Sequence, residues 1–196
     1  SPVAAHKMAM AGADVILLHM DQGQYADPAM LDHVIRLKRQ LEKATGKDMP
    51  LYTAPHHMSQ TRIKERCDSN YQCVMCKHMM QKTAREVGLA LGCSGIVMGD
   101  SLGQVASQTL RNIKAENINL GYPVLRPLIG YDKIEIETIA KDIGTYPISI
   151  ERINGCNILP EKVCTEGKPD KIAEFDERMD PDNLAKEIAG QLKLIG

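Results

Sequence analysis

Cys73 and Cys76, three residues apart in YQCVMCKHMM and followed at once by Lys77, are the residues of this chain whose spacing carries the most chemistry. A C-x-x-C pair can hold a metal, exchange electrons as a disulfide, or simply fill a helix end. It supplies two ligands, whereas a closed zinc site or an iron–sulfur cluster needs more. The further thiols are Cys67, Cys93, Cys156 and Cys164. Cys73 is expected at the N-terminal end of a helix beside Lys77, where helix dipole and ammonium both favour thiolate. Cys93 precedes an apolar run and is expected to be a buried, small apolar residue. His56 and His57 match no metal-ligand spacing and read as loop residues.

The elements that must position these groups follow an alternating pattern. DVILLHM (14–20) reads as a buried strand. Asp27 and Pro28 open a helix with Leu31, Val34, Ile35 and Leu41 on one face, running to Gly46. LYTA (51–54) is a second strand. Residues 74–91 form a helix whose Cys76, Met80, Thr83, Val87 and Leu91 share a face. GIVMG (95–99) is a third strand feeding a helix over 101–114. PVLRPLI (123–129) is a fourth, and Asp132 with Glu135 makes a capping box for a helix ending at Gly144. Residues 151–180 read as irregular, and Asp180–Pro181 opens a last amphipathic helix to 195. At the start, Ser1 and Pro2 cap a helix over SPVAAHKMAMAG. Strands separated by helices imply parallel pairing in a layered, Rossmann-like α/β fold with helices flanking a mostly parallel sheet.

Composition narrows the function classes. With 196 residues, 43% of them hydrophobic, the chain can bury one full-sized core, and residues 1–196 are read as a single domain. Six cysteines are too few for a disulfide-dense secreted scaffold. There is no long apolar run, so the chain is expected to be cytoplasmic and to make no membrane contact. A formal net charge of −1 draws the whole molecule neither to nucleic acid nor to membrane; RIKER (62–66) is the best local basic patch, and a solvated helix face explains it equally well.

GDSLGQVASQTL (99–110) and LRPLIGYDKIEI (125–136), with the C-x-x-C and SPVAA at the start, resemble the PP-loop ATP pyrophosphatase domain of the tRNA 4-thiouridine synthetases, a sulfurtransferase family also linked to thiamine biosynthesis. The resemblance spans residues 1 to about 160. By it, Ser1-Pro2-Val3-Ala4 match the end of a phosphate loop whose first strand and glycines the sequence does not contain. It assigns Ser1, His19, Met20, Lys77, Gly99 and Gln108 to ATP, with Lys77 standing where an arginine is usual. It gives Lys133, in the DK pair, a catalytic charge role and makes Cys156 the sulfur-transfer cysteine. Gly99 after a strand, then a turn, suits close approach of a phosphate.

The resemblance implies an ATP-dependent sulfurtransferase that adenylates a carbonyl oxygen, uridine C4 of tRNA, and replaces it with sulfur. Mg²⁺ would accompany the triphosphate, and a cysteine desulfurase or sulfide would supply sulfur. Cys73, Cys76 and Cys156 together would hold an iron–sulfur cluster with one open iron. A redox pair serving a persulfide on Cys156, or structural zinc, are the alternatives. The rival functions are the same chemistry on a sulfur carrier or a thiazole precursor, and a nucleotide- or metal-binding module without catalysis. tRNA is expected to be bound with help from another domain or protein, and a homodimer is among the assemblies allowed.

Overall fold

A computed structural model of the chain describes residues 1–103, 108–158, 160 and 162–196. Helix α1 (Pro2–Met10) follows Ser1, which takes the N-cap position without a side-chain capping bond. Strand β1 (Leu17–Asp21) leads through a 3₁₀ turn at Gly23–Tyr25 to α2 (Met30–Thr45). Asp27 does not cap α2 directly; its carboxylate accepts the Ala29 N–H (2.9 Å) and closes the turn that precedes the helix. Gly46 ends α2 in a left-handed conformation that a side chain would resist.

Strand β2 (Leu51–Pro55) pairs in parallel with β1 and runs into α3 (His57–Arg66), then a 3₁₀ turn at Ser69–Tyr71 and α4 (Gln72–Ala90). Strand β3 (Ile96–Val97), α5 (Leu110–Glu116) and β4 (Val124–Leu125) follow, β3 and β4 pairing in parallel. Helices α6 (Lys133–Asp142), α7 (Tyr146–Ser149), α8 (Pro169–Met179) and α9 (Pro181–Ala189) precede β5 (Lys193–Ile195), which closes antiparallel on β2. The described strands therefore form a β1-β2-β5 sheet and a β3-β4 pair, mostly parallel and flanked by helices.

The structure corrects several expected elements. Helix α5 begins at Leu110 rather than 101: Thr109 takes the N-cap, its hydroxyl accepting the Asn112 N–H (3.1 Å), while Ser101 to Gly103 lie outside any helix and 104–107 fall outside the described residues. The fourth strand shrinks to two residues because Pro127 cannot extend the ladder. Residues 151–180 are not wholly irregular, since α8 occupies Pro169–Met179. The last helix stops at Ala189, and 193–195 are strand. The Asp132–Glu135 capping box forms as expected, with both bonds at 2.8 Å.

Two apolar clusters hold these elements. Val74, Met75 and Met79 of α4 pack with Ile172, Phe175 and Met179 of α8 and Leu184, Ala185 and Ile188 of α9. Val3, Ala4 and Ala9 of α1 meet Leu41, Met49, Leu128, Ala140 and Ile143. Helix α4 is covered on most of its circumference, which is why Gln81, Lys82 and Thr83 in succession are buried. Lys82 reaches Asp182 at the start of α9 (2.9 Å), so its charge is paired. Among the described residues no helix is long and apolar enough to cross a membrane.

Candidate functional site

The site begins where β2 ends. His56 caps α3 with its ring completely buried, and Gln60 sits one turn further along the same helix. After the turn at 69–71, the first turns of α4 carry Cys73, Cys76 and Lys77. Segment 151–158 is irregular, and two backbone hydrogen bonds hold it: Asp27 N–H to Asn154 O (3.2 Å) and Asn157 N–H to Tyr25 O (2.9 Å). This fastening brings Cys156 to the two helices. Cys73, Cys76, Lys77 and Cys156 then line one cavity of about 210 Å³ with Gln22, Gln60 and Ile63.

Two sulfurs have defined partners. Gln60 Nε2 donates to Cys156 Sγ (3.3 Å), and His56 Nε2 lies 3.0 Å from Cys76 Sγ. Burial pushes the Cys76 thiol up to about 12, with the nearby Cys156 and Cys73 adding to the effect and Lys77 opposing it. Cys73 is raised too, first by burial and then by Cys156. This corrects the expectation of a Cys73 thiolate: desolvation outweighs helix dipole and ammonium. Burial, followed by the neighbouring His57, lowers His56 to about 4, so its ring is neutral near pH 7. His56, the N-cap of α3, and His57, its first residue, are not the loop residues expected. Cys93 is only half-buried.

Lys77 turns its ammonium from the thiols toward acids. It contacts Asp100 Oδ1 (3.1 Å) and Glu116 Oε1 (3.8 Å), and Arg126 Nε holds the second oxygen of Asp100 (3.0 Å). Asp100 and Glu116 are both buried. Gly99, just before Asp100, lies so close to Ser1 that a Cβ there would stand 2.1 Å from the Ser1 Cβ; only glycine lets the two backbones meet. Gln108 accepts the Ser101 N–H through Oε1 (3.2 Å). Ser1, Gly99, Gln108 and Lys77, dispersed in sequence, are therefore connected through Asp100 and Ser101.

His19 and Met20 close β1, and His19 lines a second cavity of about 260 Å³ with Asp21, Gln22 and Asp27. Gln22 borders both cavities. Lys133 stands apart from these groups: it is the first residue of α6, exposed, 3.7 Å from Glu137, and lines neither cavity.

Cys73, Cys76 and Cys156 share a cavity wall, but among the described residues no three Cys, His, Asp or Glu side chains converge as a metal site. Cys76 is turned to His56 and Cys156 to Gln60. A thiophilic ion suits these donors, yet the ligand set is not closed around one.

The family model for thiamine biosynthesis protein (ThiI) matches residues 1–180. This chain belongs to the ThiI family. A probable tRNA sulfurtransferase of Methanosarcina mazei is 37% identical over 196 residues, covering all of this chain and 48% of the relative. One from Thermococcus kodakarensis is 43% identical over 153 residues, 76% of this chain and 39% of the relative. The chain thus spans about half the length of the curated relatives it matches, or less. A 4-thiouridine synthetase, solved as an RNA complex with bound ATP, superposes with a TM-score of 0.89 at 26% identity, over all of this chain and 52% of that one. ThiI membership and the Rossmann-like fold agree with the resemblance carried by GDSLGQVASQTL and LRPLIGYDKIEI. His56, Gln60, Asp100, Glu116 and Arg126 were not foreseen. Asp100 had a visible signal, since it directly follows Gly99; His56 and Gln60 had only their spacing of four.

Proposed function

We propose that this chain carries the adenylating and sulfur-transferring chemistry of a tRNA sulfurtransferase, which converts uridine to 4-thiouridine in the cytoplasm. The observation that carries the reading is one cavity that collects Cys156, Cys73, Cys76 and Lys77, with Lys77 tied through Asp100 to Gly99 and Ser1. Relatives named tRNA sulfurtransferases and the ATP-bound synthetase support the same direction.

In this reading ATP lies along Ser1, Gly99 and Gln108, with its base toward His19 and Met20. Gly99 permits close approach of the chain to the nucleotide, and Mg²⁺ comes with the triphosphate as part of the substrate. The uridine O4 attacks the α-phosphorus and pyrophosphate departs. Lys77 and Lys133 offset the charge that grows on the departing group; Lys133, exposed at the head of α6, does so by swinging away from Glu137. A persulfide on Cys156 then attacks C4 through its outer sulfur, and AMP leaves with the oxygen. A second thiol, Cys76 or Cys73, attacks the Cys156 sulfur. The S–S bond breaks, the thiocarbonyl is released, and a protein disulfide remains. A dithiol reductant returns both cysteines to thiols, and a cysteine desulfurase or sulfide with an oxidant restores the persulfide. No step is routed through a cluster or zinc, because the thiols do not converge on one.

The test uses the intact protein with tRNA, ATP and a persulfide donor, reading 4-thiouridine by mass spectrometry and pyrophosphate separately. Cys156→Ser is expected to release pyrophosphate without forming the thionucleoside. Thiolation at the normal rate by this variant, or absence of ATP binding by the intact protein, would overturn the reading. A thiolated carrier or thiazole in place of thiolated tRNA would reassign the acceptor.

A further inference from the structure

Helix α3 and its N-cap set two side chains one turn apart against the thiols, His56 beside Cys76 and Gln60 beside Cys156. The second contact is the informative one. Gln60 is 4% exposed, and among the described residues its only side-chain hydrogen bond goes to Cys156 Sγ. Its Oε1 is buried without a hydrogen-bond partner. Burying half an amide unpaired is costly. A side chain kept only for packing beside Ile63 in the cavity wall would be apolar. Cys156 itself comes from an irregular segment with no helix or strand to fix its χ1, so its sulfur needs an external hold.

We propose that Gln60 is a positioning residue for the sulfur carried by Cys156. Its amide N–H anchors Sγ in the cavity wall, so that a sulfur bound beyond Sγ points into the cavity rather than back into the segment. The anchor serves the neutral thiol, the persulfide and the mixed disulfide alike, because each keeps lone pairs on Sγ. The amide does no covalent chemistry. Its effect falls on sulfur transfer and leaves adenylation, which uses the Gly99 side of the site, untouched. The inference rests on the reading of Cys156 as the sulfur carrier.

The experiment compares Gln60→Met, of similar length but without a donor, with Gln60→Glu and Gln60→Asn in the intact protein. Both pyrophosphate release and 4-thiouridine formation are measured with tRNA, ATP and a persulfide donor. Misplacing a reacting atom by about an ångström can cost up to 100-fold. Gln60→Met is therefore expected to lower kcat for thiolation about tenfold, at unchanged KM for ATP and unchanged pyrophosphate release. Pyrophosphate spent per thionucleoside then rises about tenfold. Gln60→Glu keeps the length and loses the donor once its carboxyl is ionised, so it should uncouple as Gln60→Met does at high pH and less at low pH, while Gln60→Asn keeps the donor and should be milder. Equal losses in both steps, or an unchanged ratio in all variants that melt at the parent temperature, would overturn the positioning role. If instead Cys156→Ser itself still thiolates, the carrier reading fails, and the Gln60 inference with it.

Discussion

Glu116→Gln changes one atom in the best-buried acid of the site, and its effect is expected to depend on pH in a specific way. The Glu116 carboxylate is wholly buried, has no hydrogen-bond partner on either oxygen, and lies 3.8 Å from Lys77. Burial raises it from 4.5 to about 8; Lys77 and Arg126 pull it down and Asp100 pushes it further up. A raised acid holds its proton more tightly folded than unfolded. Its stability is full below pH 4.5, falls as pH climbs, and levels off above about 8. At about 1.4 kcal/mol for each pH unit, the loss by pH 7 is on the order of 3 kcal/mol. Glutamine removes this loss. It brings its own cost for a buried amide, which does not vary with pH. Urea denaturation of both proteins at pH 5, 6, 7 and 8 should show Glu116→Gln gaining about 3–4 kcal/mol relative to the parent between the two ends. Titrating groups remote from Glu116 cancel in that difference. Stability curves that run parallel from pH 5 to 8 would refute the reasoning and mean that Lys77 keeps Glu116 ionised throughout.

Lys133→Ala is expected to leave the melting temperature unchanged, because the side chain is exposed and its ion pair with Glu137 is a surface one, while pyrophosphate release slows by roughly tenfold or more; release at the parent rate would make it a surface lysine. Gly99→Ala forces a Cβ against Ser1, and calorimetry should show weakened ATP binding. Met79→Ala, which empties a fully buried position among α4, α8 and α9, should cost about 2–5 kcal/mol in chemical denaturation. Lys82→Met removes the buried partner of Asp182; with Arg85 still 2.8 Å from that carboxylate, the measured loss should stay well below that of breaking a fully buried pair.

What could be read from residues alone was what local chemistry decides. The capping box at Asp132 and Glu135 and the left-handed stop at Gly46 need only their neighbours, and both are where the pattern placed them. Of helix α3 only the solvated face at RIKER was legible, because the face it buries is Ser59, Gln60 and Ile63 and apolar periodicity carries no trace of it. The last helix was overrun because Leu192 and Ile195 continue the helical spacing past Ala189, where the chain turns back to pair with β2. Burial reversed the expected direction for the Cys73 thiol: neighbours in sequence promised a thiolate, but Cys156, some eighty residues on, and the walls of the cavity decide. The family strings single out Ser1, Gly99 and Gln108 one by one; their link through Asp100 and Ser101 is a matter of three dimensions.

The two backbone bonds that fasten segment 151–158 give the site built-in gauges. Asn154 O and Asn157 N–H lie on either side of Cys156, and both join the stretch just after β1, whose end carries His19 and Met20. The amides of Asp27 and Asn157 can open only when that stretch and the cysteine segment part. In hydrogen exchange they should slow or quicken as a couple, and their common rate measures how often the cysteine leaves its seat. A ligand that settles at the end of β1 is then visible as added protection at Asn157, far along the chain and without any label on the sulfur.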